Sequence, residues 1–225
     1  MITEKITGLM PTFNTVRRAF VQMSIECFLN QDYPNKELII VSQGEPVNHP
    51  DPRVREIRSM PMPLGSLRNV ALAQITEGYA IGWDDDDWRH PNYLSTLANA
   101  VKPDRQDYAA YAHYKRLGCD FTTGDTFIQH RLCTTILYHV PSLRHAYPAL
   151  TMAEDIMFMR GFETIVRVAM PEHYYIRFWH GGNTISKPRA LWGPKTDAYK
   201  ELIDGIRAGL QGADDRHGRP DFTPE

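Results

Sequence analysis

Residues 6–43 read ITGLMPTFNTVRRAFVQMSIECFLNQDYPNKELIIVSQ, and the order of patterns within them decides the fold. Ile6 to Met10 is a short apolar run stopped by Pro11, as expected for a buried strand. Asn14 or Thr15 can cap a helix in which Val16, Phe20, Met23 and Cys27 recur at helical spacing up to Phe28. Tyr33-Pro34-Asn35 breaks that pattern. Leu38-Ile39-Ile40-Val41 then reads as a second buried strand, closing at Ser42-Gln43-Gly44. A strand, a helix and a strand in this order make a βαβ unit, which requires a parallel pair.

Beyond that unit, Val54 to Ile57 reads as a short strand. The two prolines in Met60-Pro61-Met62-Pro63 exclude regular structure. Gly65-Ser66 opens a helix to about Thr76, with Leu67, Val70, Ala71 and Ile75 as its stripe; Glu77-Gly78 ends it. Tyr79 to Trp83 is a strand that runs straight into Asp84-Asp85-Asp86-Asp87. Pro91 falls in the first turn of a helix continued by Tyr93, Leu94, Leu97 and Val101. In the second half the patterns predict strands over 108–114, 134–138 and 165–170 and helices over 153–162 and 194–210. Residues 211–225 are polar and carry Gly and Pro, as expected for a loose tail.

The 225 residues suit one domain with a sizeable core. A net charge of −2 disfavours a globally basic nucleic-acid binder. Cys27, Cys119 and Cys133 form no C-x-x-C pair, and an odd count suits no disulfide framework. Reduced thiols in a cytoplasmic protein are expected. The first residues, Met1 to Lys5, hold no apolar signal-peptide core, and no apolar run reaches the ~20 residues of a membrane span. Peripheral membrane contact is the most that is expected.

The aspartate run carries the chemistry. Four carboxylates in a row repel one another unless a cation sits among them. A divalent ion with hard oxygen ligands is the simplest neutraliser. On an extended segment Asp84 and Asp86 would point one way, Asp85 and Asp87 the other. The plainer alternative is a solvated acidic loop favouring the N-terminus of the helix near Pro91. An EF-hand loop fails: counted from Asp84, the sixth position is Arg89 and the twelfth Ser95.

In chain order, Pro11-Thr12-Phe13-Asn14, the segment Gln31 to Val41, Gly65-Ser66-Leu67-Arg68-Asn69, Asp84 to Trp88, Ala153-Glu154-Asp155 and Arg177-Phe178-Trp179-His180 form a set. Over roughly residues 5–190 it resembles the family 2 glycosyltransferases of GT-A fold. The resemblance implies a single α/β domain on a Rossmann-like, mostly parallel sheet flanked by helices. It implies a nucleotide-sugar half over residues 1–101 and an acceptor and catalytic-base half over 102–210. It also implies inverting transfer from a nucleotide-diphosphate sugar to a hydroxyl acceptor, with Mn2+ or Mg2+. Carried over residue by residue, Asp155 is the catalytic base and Asp86, Asp84 and His180 serve the metal. Pro11, Phe13, Asn14, Gln43, Arg68, Asp84 and Asp85 meet the donor, and Glu154, Arg177 and Trp179 lie at the acceptor or lid.

The chemistry agrees with that pattern. Charge builds on the departing diphosphate, which a cation stabilises, while one carboxylate on the opposite side takes the acceptor's proton. One departure concerns the base: Ser42-Gln43-Gly44 stands where the family commonly has acidic residues. A Gln carbonyl can still accept an imide N–H, but its amide can also donate. A sugar-1-phosphate nucleotidyltransferase would need a glycine-rich loop after strand one, and Pro11 to Arg17 contains no glycine. A binding module without turnover would have no use for Asp84, Asp86, Asp155 and His180 together. Lys102 to Leu150 is mildly basic and aromatic, suited to sugar stacking or to a nucleic-acid backbone; the resemblance implies a glycan or lipopolysaccharide acceptor, with a nucleic-acid base as the minor alternative.

Overall fold

The computed structural model describes residues 2–13, 17–102, 104, 109–130, 135–180, 183 and 193–217. Along the first half run β1 (Ile6–Phe13), α1 (Arg18–Leu29), β2 (Lys36–Gln43), β3 (Val54–Arg58), α2 (Leu64–Leu72), β4 (Tyr79–Gly82), β5 (Asp87–Arg89) and α3 (Tyr93–Ala100). The second half adds β6 (Ala109–His113), β7 (Lys115–Asp120), β8 (Thr126–His130), β9 (Leu137–His139), α4 (Glu154–Met159), β10 (Thr164–Val168), β11 (Tyr175–Trp179) and α5 (Lys200–His217).

Among the described residues, seven strands form one sheet in the order β10-β6-β9-β4-β1-β2-β3. The expected parallel pair is β1 with β2, in register from Ile6↔Lys36 to Phe13↔Gln43. β9 is antiparallel to both its neighbours. Alternation along the strands explains the layers. Ile6, Met10, Leu38, Ile40, Tyr79 and Ile81 pack on one face with Val21, Ile25 and Phe28 of α1 and Tyr93 and Leu97 of α3. Leu9, Ile39, Val41 and Ala80 pack on the other with Leu67 and Ala71 of α2 and Phe158 of α4. A sheet covered on both faces is why Leu38 to Val41 is an unbroken apolar run. A second sheet, β5-β11-β7-β8, shares a core with α1 and α5 through Phe20, Leu117, Ile176, Phe178 and Ile203.

Several boundaries depart from the sequence expectations for physical reasons. β1 continues through Pro11 to Phe13. The Leu9 carbonyl accepts the Trp83 N–H at 2.9 Å, and pairing with β4 stops at Leu9↔Gly82. The N–H that Pro11 lacks therefore falls where no strand needs it. The segment at 194–196 is extended rather than helical, because Ile128 N–H donates to the Pro194 carbonyl and Thr196 N–H to the Thr126 carbonyl, each at 3.0 Å. The helix expected over 194–210 is α5, displaced to 200–217. Residues 211–217 are thus helical, not a loose tail, with no proline until Pro220. α4 is shorter than expected and ends before Gly161. Thr134, Tyr108 and Cys133 lie outside the described residues; Cys27 and Cys119 are buried free thiols. Among the described residues, no helix is long and apolar enough to cross a membrane.

Candidate active site

The acidic run sits at the carboxyl end of β4, beside the carboxyl ends of β1 and β2. α1 fixes its entry: the Trp83 indole N–H donates to the Ser24 carbonyl (3.0 Å), and the Ser24 hydroxyl donates to the Asp84 carbonyl (2.7 Å). The chain then turns at Asp85 and Asp86 and enters β5 at Asp87. The expected two-and-two alternation is therefore replaced by a separate environment for each carboxylate.

Asp84 accepts from Arg68 Nη2 at 2.7 Å. Burial opposes its ionisation, but Arg68 prevails and holds the carboxyl below the usual carboxylate range. Asp85 is buried, accepting from the Thr12 hydroxyl (2.6 Å) and lying 3.1 Å from Arg17 Nη2. Burial, with Asp86 nearby, pushes its carboxyl up to about 6 despite Arg17. Asp86 gathers donors on one oxygen. Its Oδ2 lies 2.8 Å from Arg17 Nη1, 3.1 Å from Asn183 Nδ2 and 3.4 Å from His180 Nε2. Burial opposes its charge, yet the His180 contact and Arg17 bring it down to about 2. Asp87 turns inward and accepts from the Tyr175 hydroxyl, beside Arg89. Arg89 is enclosed, with its guanidinium 4.1 Å from the Trp83 ring centre and 4.6 Å from that of Tyr175. Burial, then Asp86 and Asp84, push the Asp87 carboxyl up to about 7.

The opposite wall is the start of α4. α2 positions it: Gly65 N–H donates to the Leu150 carbonyl (2.9 Å), and the Asn69 side chain exchanges hydrogen bonds with the Tyr147 backbone (2.8 and 2.9 Å). A Cβ on Gly65 would stand 1.9 Å from the Pro148 carbonyl oxygen, so only glycine allows this approach. Glu154 is buried, 3.3 Å from Arg68 Nε, and Ala153 before it takes a left-handed φ of 63°, uncommon for a side chain of its kind. Asp155 follows at the rim, its Oδ1 accepting the Ile156 N–H at 2.7 Å. Asp155, Asp84, Asp86, Arg17, Arg68 and Arg177 line one cavity.

Most of the expected residues converge here. Pro11 lines the cavity; Phe13, 46% exposed, and Gln43 are cross-strand neighbours at the carboxyl ends of β1 and β2 and are not among its lining residues. Gln43 Nε2 donates to the Met60 and Met62 carbonyls at 3.1 and 3.3 Å. His180 is buried and stacked on Phe20 with ring centres 4.3 Å apart. Arg68 and Asp84, expected at the diphosphate and the metal, both line the cavity, paired with each other, and Arg68 also meets Glu154. One placement differs from expectation. Trp179, expected at the acceptor or lid, is only 5% exposed and packs over Gly118 in the second sheet, where a Cβ would meet its ring at 2.4 Å. Asn14 lies outside the described residues.

Sequence reasoning missed Arg17, Thr12, Ser24 and Asn183. The available signals were the adjacent Arg17-Arg18 just past strand one, and Asn183 three residues after His180. Among the described residues, no three His, Cys, Asp or Glu side chains are grouped as metal ligands. The oxygen and nitrogen of Asp86 and His180 do fit a Mn2+ or Mg2+ ion that takes its other ligands from water and substrate phosphates.

The sequence profile described as Glycosyl transferase family 2 matches residues 8–167. Glycosyltransferase GlyA of Streptococcus pneumoniae serotype 4 is 24% identical over 123 residues, which cover 51% of this chain and 17% of that protein. The chain thus spans about a sixth of the length of this relative. S. aureus TarS 1–349 in complex with UDP-GlcNAc superposes with a TM-score of 0.59 at 17% identity, covering 96% of this chain and 74% of that one. A mannosyltransferase from Pyrobaculum calidifontis in complex with GDP-Man and Mn2+ gives 0.53 at 14% identity, covering 96% and 76%. The ordered motifs, the sheet that gathers them and the profile match over more than half of the residues agree, and the chain belongs to glycosyl transferase family 2, with the GT-A fold.

Proposed function

We propose that this protein is an inverting glycosyltransferase that moves a sugar from a nucleoside-diphosphate donor to a hydroxyl acceptor, with Mn2+ or Mg2+ held by Asp86 and His180. The observation that carries this reading is the pairing across one cavity of Asp86, on which Asn183, His180 and Arg17 converge, with Asp155 on the opposite wall. The bound ion supplies Lewis-acid stabilisation of the diphosphate leaving group. Asp155 takes the proton of the acceptor hydroxyl as that oxygen attacks the anomeric carbon from the side opposite the diphosphate. One base and no covalent intermediate make the outcome inversion. Residues 1–101 form the donor half and 102–210 the acceptor half.

Phe13 offers its ring to the nucleotide base. Because Gln43 gives its amide nitrogen to the Met60 and Met62 carbonyls, its carbonyl oxygen is the end available to an imide N–H, which favours a uridine donor. A glycan or lipopolysaccharide is the acceptor class, and the buried thiols Cys27 and Cys119 support a cytoplasmic location. The test is transfer from a panel of UDP- and GDP-sugars with Mn2+, the product's anomeric configuration read by NMR. Inversion is expected, with at least ~10²-fold loss in Asp155→Asn and Asp86→Ala. A retained configuration, or near-wild-type rates in either variant, rejects the assignment.

A further inference from the structure

The two guanidinium groups at the site are committed differently. Arg68 is enclosed, with its side chain 5% exposed, and its partners Asp84 and Glu154 come from opposite walls. Arg17 stands at the start of α1, 14% exposed, and forks across the turn: Nη1 to Asp86 Oδ2 at 2.8 Å, Nη2 to Asp85 Oδ1 at 3.1 Å. Asp86 is the carboxylate that the proposed function gives to the metal. A guanidinium and a divalent cation cannot both take the same oxygen at close range, because each repels the other. Asp85, by contrast, has a second donor on its other oxygen, the Thr12 hydroxyl at 2.6 Å.

We propose that Arg17 is a built-in counter-ion. It neutralises Asp85 and Asp86 in the metal-free protein, yields Asp86 to the ion, and turns its fork to the donor's diphosphate, a geometry that guanidinium suits. Metal and donor then bind cooperatively, since each favours the position of Arg17 that the other needs. This rests on the metal reading above. The size follows from population arithmetic: if the fork is closed in 90–99% of metal-free molecules, apparent metal affinity is reduced about 10- to 100-fold.

The test is Mn2+ binding to wild type, Arg17→Gln and Asp86→Asn, by electron paramagnetic resonance and calorimetry, with and without UDP. Thermal unfolding is followed in chelator and in saturating Mn2+. Arg17→Gln is expected to bind Mn2+ alone about 10- to 100-fold more tightly than wild type and to unfold at lower temperature in chelator. Its Mn2+ affinity should also rise less on adding UDP, by reciprocity of the coupling. Wild-type or weaker Mn2+ binding by Arg17→Gln overturns the proposal and leaves the metal reading standing. Binding by neither protein, or wild-type binding by Asp86→Asn, overturns both. If Arg17→Gln does not fold, Arg17→Met gives the same comparison: it keeps an unbranched stem and loses the charge, tighter binding is expected, and unchanged binding refutes.

Discussion

Arg68→Met tests whether Arg68 is a strut between the two walls of the site. The substitution keeps an unbranched apolar stem and removes the only charge placed between Asp84, at 2.7 Å, and Glu154, at 3.3 Å, among the described residues. Removing one partner of a buried ion pair costs about 3–5 kcal/mol, because the other charge stays behind without compensation. The Asp84 side chain is 29% exposed and regains some water, which favours the low end, about 3 kcal/mol. For a domain of this size that corresponds to roughly 6–12 °C in Tm. The pH dependence has a definite sign. In wild type Arg68 holds the Asp84 carboxyl low, so this stabilisation is present above the ordinary carboxylate range and lost as pH falls through the depressed value. Without Arg68, both carboxyls take protons more readily. The deficit should therefore shrink as pH is lowered from about 7 towards 5, the ordinary carboxylate range lying just below. Adding Glu154→Gln should restore part of the loss at pH 7. Thermal unfolding by circular dichroism across pH reads all of this. A Tm change under about 2 °C with no pH dependence would refute the strut.

Asp87→Asn should flatten the pH profile of stability. A carboxyl held at about 7 in the folded protein, well above its unfolded value, makes stability fall as pH rises from about 4 towards 7, and denaturant melts at several pH values will show whether that slope is lost. Gly65→Ala should destabilise by about 1–3 kcal/mol, because its Cβ meets the Pro148 carbonyl oxygen. It should also lower turnover more than donor affinity by shifting α4 and Asp155, and unchanged steady-state kinetics would contradict this. Gln43→Leu should weaken UDP binding by about tenfold, the scale of one lost hydrogen bond, as read by calorimetry.

The large sheet was legible because its strands announce themselves. Leu38 to Val41 is apolar without interruption, and Tyr79 to Trp83 ends on charges that only a strand terminus tolerates. The small sheet was not. β5 is only Asp87–Arg89, and Lys115-Arg116-Leu117-Gly118-Cys119-Asp120 of β7 shows no alternation. Its strandedness comes from neighbours distant in sequence. The site divides in the same way. Asp84 to Asp87, Asp155 and His180 stand in recognisable strings, so their neighbourhood could be anticipated. Their individual partners could not, because the turn at Asp85 and Asp86 breaks the alternation of an extended chain. Trp179 shows the converse: adjacent to His180 in sequence, it faces the opposite way and fills the space over Gly118.

The acidic turn is also one of the covalent links between the two sheets, since β4 leads into it and β5 leads out. Arg17 reaches Asp86 Oδ2 from the α1 side, whereas His180 and Asn183 reach it from beyond β11 in the small sheet. A single oxygen atom is thus an alignment gauge. Any swivel of one sheet against the other, even with each sheet internally intact, must pull that oxygen away from one set of its donors.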